Sequence, residues 1–205
     1  MKYLICSDIH GSFTAAQKII SFFQSEKCDK LVILGDTLYH GPRNPLPEGH
    51  NPKAVAELLN SYSDKIIACR GNCDAEVDQK VLKFKTMSDF LKIIDNGVLL
   101  FGSHGHVFAP TNPDGTMPVN CEDASFPPLF LTEFPQPAVF FYGHTHIQVL
   151  EKRMEKGQEL VVCNPGSTSL PKGESPSGFA ICEILGSTKI SLFDMNGKEL
   201  KSIEA

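Results

Sequence analysis

The sequence predicts an α/β fold in which two β-sheets pack together with helices outside them. The first half of the 205-residue chain alternates short apolar runs with helical patterns in the order β-α-β-α-β. That order is typical of parallel strands joined by right-handed crossovers. The second half is a series of apolar runs separated by turn residues, which indicates strands that are mostly antiparallel.

The first half contains three predicted strands and three predicted helices. The strands are continuous apolar runs, as expected in a sheet covered on both faces, at 3–7, 31–35 and 65–69. Ser12 can cap the helix after the first strand, and Asn51 with Pro52 marks the start of the second helix. A short third helix is expected near 75–82.

The second half begins with a predicted hairpin around Asp95-Asn96-Gly97 and continues with a buried strand at 138–143. Further strands follow up to the C-terminus. The exception is the proline-rich segment 109–137, which has no clean periodicity and is expected to be a lid, a binding surface or a mobile insert. We expect residues 1–205 to form one domain that carries this insert.

Composition excludes several classes of protein. The net charge of −5 argues against binding to duplex nucleic acid, which needs clustered Lys and Arg. No apolar run approaches the roughly 20 residues that span a bilayer, so no membrane segment is expected. The N-terminal stretch MKYLICSDIHG fits a first strand better than a signal peptide. Seven cysteines without a Cys-x-x-Cys motif suit a reducing cytoplasm.

Five short polar stretches follow apolar runs and contain five of the seven histidines. They are SDIHG, LGDT, RGNCD, SHGH and YGHTH. Because sites in open α/β sheets gather beyond the carboxyl ends of strands, we expect these stretches to converge. Asp8 and His10 are two residues apart, as are His144 and His146, so in an extended strand each pair would point to one side.

Each stretch alone could be ordinary turn chemistry, but their joint occurrence favours a metal site. Oxygen and imidazole ligands suit Mn²⁺, Fe, Zn²⁺ or Ni²⁺, and a bridging carboxylate can hold two ions roughly 3.5–4 Å apart. Such a pair acidifies a bridging water and neutralises charge on a phosphoryl oxygen. Phosphate ester hydrolysis needs that combination.

The motifs, in this order, resemble those of the calcineurin-like metallophosphoesterase superfamily. Its pattern is Asp-x-His, Gly-Asp, Gly-Asn-His-Asp/Glu, a later His and Gly-His-x-His. The resemblance extends from SDIHG to NPGS at 164–167, and the stretches LGDTLYHGPRNPLPEGHNP and RGNCDAEVDQ most resemble the YfcE-like bacterial phosphodiesterase group. It implies a four-layer α/β/β/α sandwich of two mixed β-sheets flanked by helices.

The resemblance also implies two divalent metal ions, with Mn²⁺ expected first and Zn²⁺, Ni²⁺, Fe or Mg²⁺ as alternatives. One ion would be bound by Asp8, His10, Asp36 and His146. The other would be bound by Asp36, Asn72, His104 and His144, so that Asp36 bridges the two. Asp74 matches the acidic residue that supports these ligands from outside the metal shell.

Cys73 departs from the superfamily pattern, which usually has a histidine here that contacts the substrate phosphate and protonates the leaving group. A thiol is a weak hydrogen-bond donor with a pKa of about 8.5, so it is a poor replacement for imidazolium in protonating a leaving group. We interpret Cys73 as a substitute in a substrate-facing position, with a structural thiol as the alternative. His40 and Arg43 are candidate substrate-binding residues that could compensate, and Tyr39 is expected to pack or contact substrate.

The sequence therefore predicts a cytoplasmic, dinuclear-metal phosphodiesterase in which a metal-bridging hydroxide attacks phosphorus. Its catalytic residues would be Asp36, Asn72, Cys73 and Asp74. Its expected partner is a small phosphate ester, and assembly into a homodimer or homotetramer is left open. The alternatives are a phosphomonoesterase acting on nucleotides or sugar phosphates, and a non-catalytic binding scaffold of the same fold.

Overall fold

The computed structural model describes residues 1–127, 136–155 and 157–205, and the predicted strands and helices are present in those ranges. The strands are β1 (Lys2–Cys6), β2 (Lys30–Ile33), β3 (Ile66–Ala68), β4 (Phe90–Asp95), β5 (Val98–Ser103), β6 (Ala138–Phe141), β7 (Gln148–Glu155), β8 (Gln158–Pro165), β9 (Gly178–Ile184), β10 (Thr188–Asp194) and β11 (Glu199–Glu204). The helices are α1 (Phe13–Ser25), α2 (Pro52–Asn60) and α3 (Asp78–Val81).

The first sheet has the strand order β11-β10-β9-β1-β2-β3. Strands β1, β2 and β3 are parallel, which confirms the predicted β-α-β-α-β unit with α1 and α2 as its crossovers. Strands β9, β10 and β11 extend the sheet in antiparallel fashion from the other side of β1. The sheet is therefore mixed, and its parallel part carries the first three polar stretches at its carboxyl edge.

The two longer helices begin where the sequence predicts. The Ser12 hydroxyl accepts a hydrogen bond from the Ala15 N–H at 3.2 Å, and the Asn51 side chain accepts one from the Ala54 N–H at 3.1 Å. Each cap satisfies a backbone donor that has no partner inside the helix. Both helices pack their apolar sides on the outer face of the first sheet.

The second sheet has the order β4-β5-β6-β8-β7. Strands β4 and β5 form the predicted hairpin, with Asn96 and Gly97 both at positive φ, as a tight two-residue turn requires. Its central pairs, β5 with β6 and β6 with β8, are parallel. The second half is thus less uniformly antiparallel than expected, because the long segment between β5 and β6 returns the chain to the same end of the sheet.

The two sheets face each other across a continuous apolar core. Tyr3 and Ile5 of the first sheet and Phe141 and Val161 of the second belong to it. This layered arrangement of two mixed sheets confirms the predicted sandwich fold class. Within the described ranges, α1 and α2 cover the first sheet, whereas the outer face of the second sheet packs against Phe108 and Phe126.

Residues 109–127 of the proline-rich segment predicted as an insert lie over the second sheet, where Phe126 packs on its outer face. They contain no helix or strand and pack around a small apolar cluster of Ala109, Cys121 and Ala124. Residues 128–135 of the predicted insert lie outside the described residues. The segment therefore contributes to the layer that covers the second sheet, and it also reaches the polar edge described below.

All seven cysteines are free thiols, and only Cys73 is not fully buried. Among the helices of the described ranges, none is long and apolar enough to cross a membrane.

Candidate metal centre and active site

The predicted ligands come together at one edge of the sandwich, beyond the carboxyl ends of five strands. Asp8 and His10 follow β1, Asp36 follows β2, Asn72 follows β3, His104 follows β5, and His144 and His146 follow β6. Three of these strands belong to the first sheet and two to the second. The parallel strands of both sheets therefore present their polar ends to the same place, which is where sites form in such folds.

The local conformation at this edge differs from the extended geometry expected for the two His-containing pairs. Strand β1 ends at Cys6 and β6 at Phe141, so both pairs lie in the turns that follow. The backbone is left-handed at five of the predicted ligands: Asp8 (φ 56°), His10 (50°), Asp36 (52°), His144 (68°) and His146 (61°). Such conformations cost of order 1–3 kcal/mol each and cluster at functional sites. The side chains converge because the chain turns sharply, not because a strand alternates.

Four histidines at this edge have their ring protons fixed by backbone carbonyls. The pairs are His10 Nδ1 with Tyr39 O at 2.8 Å, His104 Nδ1 with Leu34 O at 2.7 Å, His144 Nε2 with Asn120 O at 2.8 Å, and His146 Nδ1 with Leu170 O. A carbonyl oxygen only accepts, so each of these nitrogens carries the hydrogen. The other nitrogen of each ring then presents its lone pair to the centre, which is how metal-binding histidines are held.

These lone pairs face one another at two points. His10 Nε2 and His146 Nε2 are 3.3 Å apart, and His104 Nε2 and His144 Nδ1 are also 3.3 Å apart. The buried Asp8 Oδ1 makes no hydrogen bond, although His146 Nε2 lies 3.2 Å away. Two such nitrogens this close together repel unless a proton or a metal ion lies between them. The residues therefore fit metal ions, and Asp8, His10 and His146 form one group with metal-ligand spacing.

Asp36 lies between the two histidine pairs. Its Oδ2 is 3.7 Å from His10 Nε2 and 3.5 Å from His104 Nε2. Burial opposes ionisation, but His104 and His10 lower the pKa of Asp36 to about 2. Burial likewise opposes a charge on His104, yet without a metal ion Asp36 and Asp8 raise the pKa of that imidazole to about 10, so a proton occupies the place that an ion would take. The centre thus has a negative potential that attracts positive charge.

Asn72 and Asp74 act on this centre from the loop after β3. The Asn72 Oδ1 lies 3.0 Å from His104 Nε2, so an oxygen ligand and an imidazole nitrogen meet at the centre. The Asp74 carboxylate accepts backbone N–H groups of Asp36 at 2.9 Å, Thr37 at 2.9 Å and Gly71 at 2.8 Å. Asp74 therefore joins the loops after β2 and β3 and fixes the backbone of Asp36.

Cys73 is half-buried beside the centre. Its N–H donates to Asp36 Oδ1 at 2.8 Å, and its Sγ lies 3.4 Å from Asn72 Nδ2. Burial and the nearby Asp36 carboxylate raise the pKa of the thiol, so Cys73 is neutral near pH 7. A neutral thiol is a poor nucleophile. The Sγ atom nevertheless lies at metal-ligand spacing from His10 and Asp36.

A cavity of about 610 Å³ opens over this edge. Six of the predicted catalytic or metal-binding residues line it: Asp36, Asn72, Cys73, Asp74, His144 and His146. Asp8, His10 and His104 are completely or almost completely buried beneath them. A small molecule that enters the cavity therefore reaches the centre through its floor.

Not all of the candidate substrate-binding residues line the outer wall of the cavity. Arg43 and Tyr39 line it, whereas His40 is not among its lining residues and packs its ring edge-on against His50. Asn120 and Lys172 also line the cavity, and sequence reasoning did not identify either one. Both lie in loops that carry no recognisable sequence motif, so only the three-dimensional structure shows that they line the cavity.

A family comparison agrees with this fold and site. The model of the calcineurin-like phosphoesterase superfamily domain matches residues 1–187, and the chain belongs to that superfamily. It is therefore a metal-dependent phosphoric ester hydrolase, which confirms the enzyme class predicted from the sequence.

Individual relatives narrow the comparison. The chain is 41% identical over 183 residues to phosphodiesterase YfcE of Escherichia coli strain K12, covering 89% of this chain and 88% of that protein. The solved structure of YfcE, described as a phosphoesterase from E. coli, matches with a TM-score of 0.82 and 36% identity over 99% of this chain and 98% of that one. Vps29 of Chaetomium thermophilum has a TM-score of 0.57 at 16% identity, covering 100% of this chain and 97% of that one, which shows the fold alone.

We expect substitution of Asn120 to test the contact between the proline-rich segment and the centre. Its carbonyl holds His144, and its own φ of 65° is unfavourable for a β-branched residue. Asn120→Val should move that carbonyl and weaken Mn²⁺ binding, measured by titration calorimetry, by about 10–100-fold. Asn120→Gly, which tolerates the same φ, is the matched control and should bind nearly as the parent does. Equal affinities for all three proteins would contradict the prediction.

Metal removal should destabilise the protein. A ligand that binds only the native state adds about 4 kcal/mol when its free concentration is about a thousandfold above Kd. Metal binding would also offset the cost of the left-handed ligand backbone. The Tm, measured by circular dichroism, should therefore fall when EDTA is added and recover when Mn²⁺ is restored in excess. A Tm that does not respond to either addition would show that no ion binds this centre.

Proposed function

We propose that the protein is a dinuclear-metal phosphodiesterase that hydrolyses small phosphate diesters. The observation that carries this proposal is the pair of facing imidazole contacts with Asp36 between them. Each contact corresponds to one ion of the expected pair. The 41% identity to phosphodiesterase YfcE supports the choice of diesters.

The proposed ligand sets follow the two contacts. Asp8, His10, Asp36 and His146 would hold one divalent ion, and Asp36, Asn72, His104 and His144 the other. When bound, two such ions supply Lewis acidity for a phosphoryl oxygen and acidify a water held between them. Mn²⁺ is the proposed activating metal because oxygen and imidazole ligands suit it, and the free thiols support a reducing cytoplasm as its setting.

The chain's own residues would position these groups and receive the substrate. Asp36 would act as the bridging carboxylate, and the three backbone N–H bonds to Asp74 would keep it in place. Asn72 would support the second ion through its side-chain oxygen. Cys73 would face the substrate without delivering a proton to the leaving group.

The neutral thiol favours diesters whose leaving groups need little protonation. A strong general acid typically contributes about 10²–10⁴-fold to such reactions. Cys73 would supply little of that contribution, because burial raises the pKa of the thiol and makes it a weak acid. Esters of acidic phenols should therefore be cleaved best.

The test is Mn²⁺-dependent hydrolysis of bis-p-nitrophenyl phosphate beside p-nitrophenyl phosphate. Diester cleavage that is the faster of the two, and that stops in EDTA, is the expected result. Faster cleavage of the monoester would move the proposal to a phosphomonoesterase. Stable Mn²⁺ binding without cleavage of either ester would favour a binding scaffold.

A further inference from the structure

The wall of the cavity is built from loops that also form hydrogen bonds to predicted metal ligands. The Leu170 carbonyl accepts the His146 ring N–H, and the Lys172 N–H donates to the His146 carbonyl at 3.2 Å. The Tyr39 carbonyl accepts the His10 ring N–H in the same way at 2.8 Å. Residues that follow these contacts are therefore held at fixed positions relative to the centre.

The loop that carries Lys172 is further anchored beneath the site. The Ser167 hydroxyl donates to the Asp8 carbonyl at 2.8 Å and accepts the Leu170 N–H at 2.8 Å. The backbone of this loop is thus tied to two predicted ligands, Asp8 and His146. Lys172 is exposed, and it lines the cavity.

The loop that carries Arg43 is held by a turn of its own. The Asn44 side chain donates to the His40 carbonyl at 2.8 Å and closes the turn. Gly41 packs so closely on Cys73 that an added β-carbon would lie 2.9 Å from its Sγ. This contact places the turn beside the substrate-facing thiol, and Arg43 is exposed at the cavity.

Neither cation has an acidic partner. Arg43 and Lys172 make no ion pair with any carboxylate in the part of the chain that the structure describes, although the protein carries a net charge of −5. Arg70, by contrast, is paired with Asp89 at 2.6 Å. The two cavity carboxylates are already engaged, since Asp36 belongs to the centre and Asp74 binds three backbone N–H groups.

The charges at the proposed centre are balanced without these cations. Two divalent ions with Asp8 and Asp36 leave two net positive charges, which the attacking hydroxide and the scissile diester neutralise. Arg43 and Lys172 add positive charge that a diester with no further anionic group leaves unneutralised. Arg in particular suits a bidentate contact with phosphate or carboxylate oxygens.

We propose that Arg43 and Lys172 form an anion subsite, and that the preferred substrates are phosphodiesters with a second anionic group close to the scissile phosphate. The proposal rests on the phosphodiesterase function for its catalytic part. The subsite itself is a binding property of the metal-loaded protein.

Binding tests the subsite independently of turnover. We would measure by titration calorimetry, on the Mn²⁺-loaded protein, the Kd of thymidine 3′,5′-bisphosphate and of thymidine 5′-monophosphate. The bisphosphate should bind about tenfold more tightly, as one or two charge-assisted contacts allow. Each of Lys172→Gln and Arg43→Gln should reduce that ratio, and the double variant should bring it close to one. Lys201→Gln, which removes an exposed charge on β11, should leave the ratio unchanged.

Catalysis supplies the second readout. Thymidine 3′-phosphate 5′-(p-nitrophenyl phosphate) and thymidine 5′-(p-nitrophenyl phosphate) differ only in a phosphate monoester and release the same leaving group. The first should have the lower KM with a similar kcat, and the double variant and added salt should both abolish that difference.

The two readouts separate the possible failures. Absence of cleavage of both diesters, together with a retained binding ratio that falls in the double variant, would overturn the phosphodiesterase function but keep the subsite. Equal Kd values for the two nucleotides in the parent, or a ratio that the double variant does not change, would overturn the subsite while diester hydrolysis stands.

Discussion

Replacing Asp36 with asparagine is expected to lower kcat/KM for bis-p-nitrophenyl phosphate by about a thousandfold or more. The carboxylate lies 3.5 Å from His104 and 3.7 Å from His10, so it is placed to serve both of the proposed ions. Its loss would remove negative charge shared by the two proposed ions, which together would provide several kcal/mol of transition-state stabilisation. The amide oxygen of asparagine can still accept the Cys73 N–H, so the loops should keep their places.

Measurements of metal content and folding show whether the Asp36→Asn variant loses activity because it loses an ion or because it unfolds. Mass spectrometry of the purified Asp36→Asn variant should find fewer than two ions per chain, while circular dichroism should show a folded protein. Asp64→Asn, at an exposed turn remote from the centre, is the matched control and should retain parental activity. Activity of Asp36→Asn within about tenfold of the parent would contradict the bridging role, because a carboxylate shared by two ions is worth more than that.

Replacing Cys73 with histidine is expected to raise kcat for esters with poor leaving groups by about 10–100-fold, within the range of general acid catalysis. The thiol is half-buried, lines the cavity and has its pKa raised by burial, so it is a weak proton donor to a leaving group. An imidazole at this position can protonate the departing oxygen. Because Gly41 lies close to Sγ, the larger ring must extend into the cavity, where substrate binds.

A series of aryl phosphodiesters with leaving groups of rising pKa measures this effect. The rate of the parent should fall steeply along the series, and the rate of Cys73→His should fall less steeply. Cys73→Ala is the matched control, and its rates should stay close to those of the parent because the thiol contributes little. A loss for Cys73→Ala as large as the gain for Cys73→His would show instead that the thiol itself acts in the reaction.

The sequence could predict the candidate site because its ligands lie in short local motifs. Each of the five polar stretches directly follows an apolar strand, and parallel strands bring their ends together whatever the details of packing. Asp8, Asp36 and His104 could therefore be placed in one group before any coordinates, and the structure brings their ligand atoms within reach of one another. Their roles as metal ligands remain a prediction that the Asp36→Asn experiment tests.

The supporting contacts could not be predicted in that way. The carbonyls of Leu34, Asn120 and Leu170 fix three histidines. Because every residue has a backbone carbonyl, the sequence cannot indicate which of them bind side chains. Nothing in the sequence distinguishes Lys172 from the other lysines. Only the structure shows that its backbone N–H binds the His146 carbonyl and so places it at the cavity. Sequence spacing also misjudged the backbone of Asp8 and His10, which is left-handed and not extended.

By itself, the sequence determined the strand and helix order, the ends of the strands that carry polar residues, and the departure at Cys73. These features depend on local patterns of apolar and polar residues, which the chain reveals directly. Only the tertiary structure decided which nitrogens face one another, which loops hold them, and that Arg43 and Lys172 share a cavity with the centre. Those contacts join residues far apart in the chain, and their geometry follows from how two sheets and their connecting loops pack together.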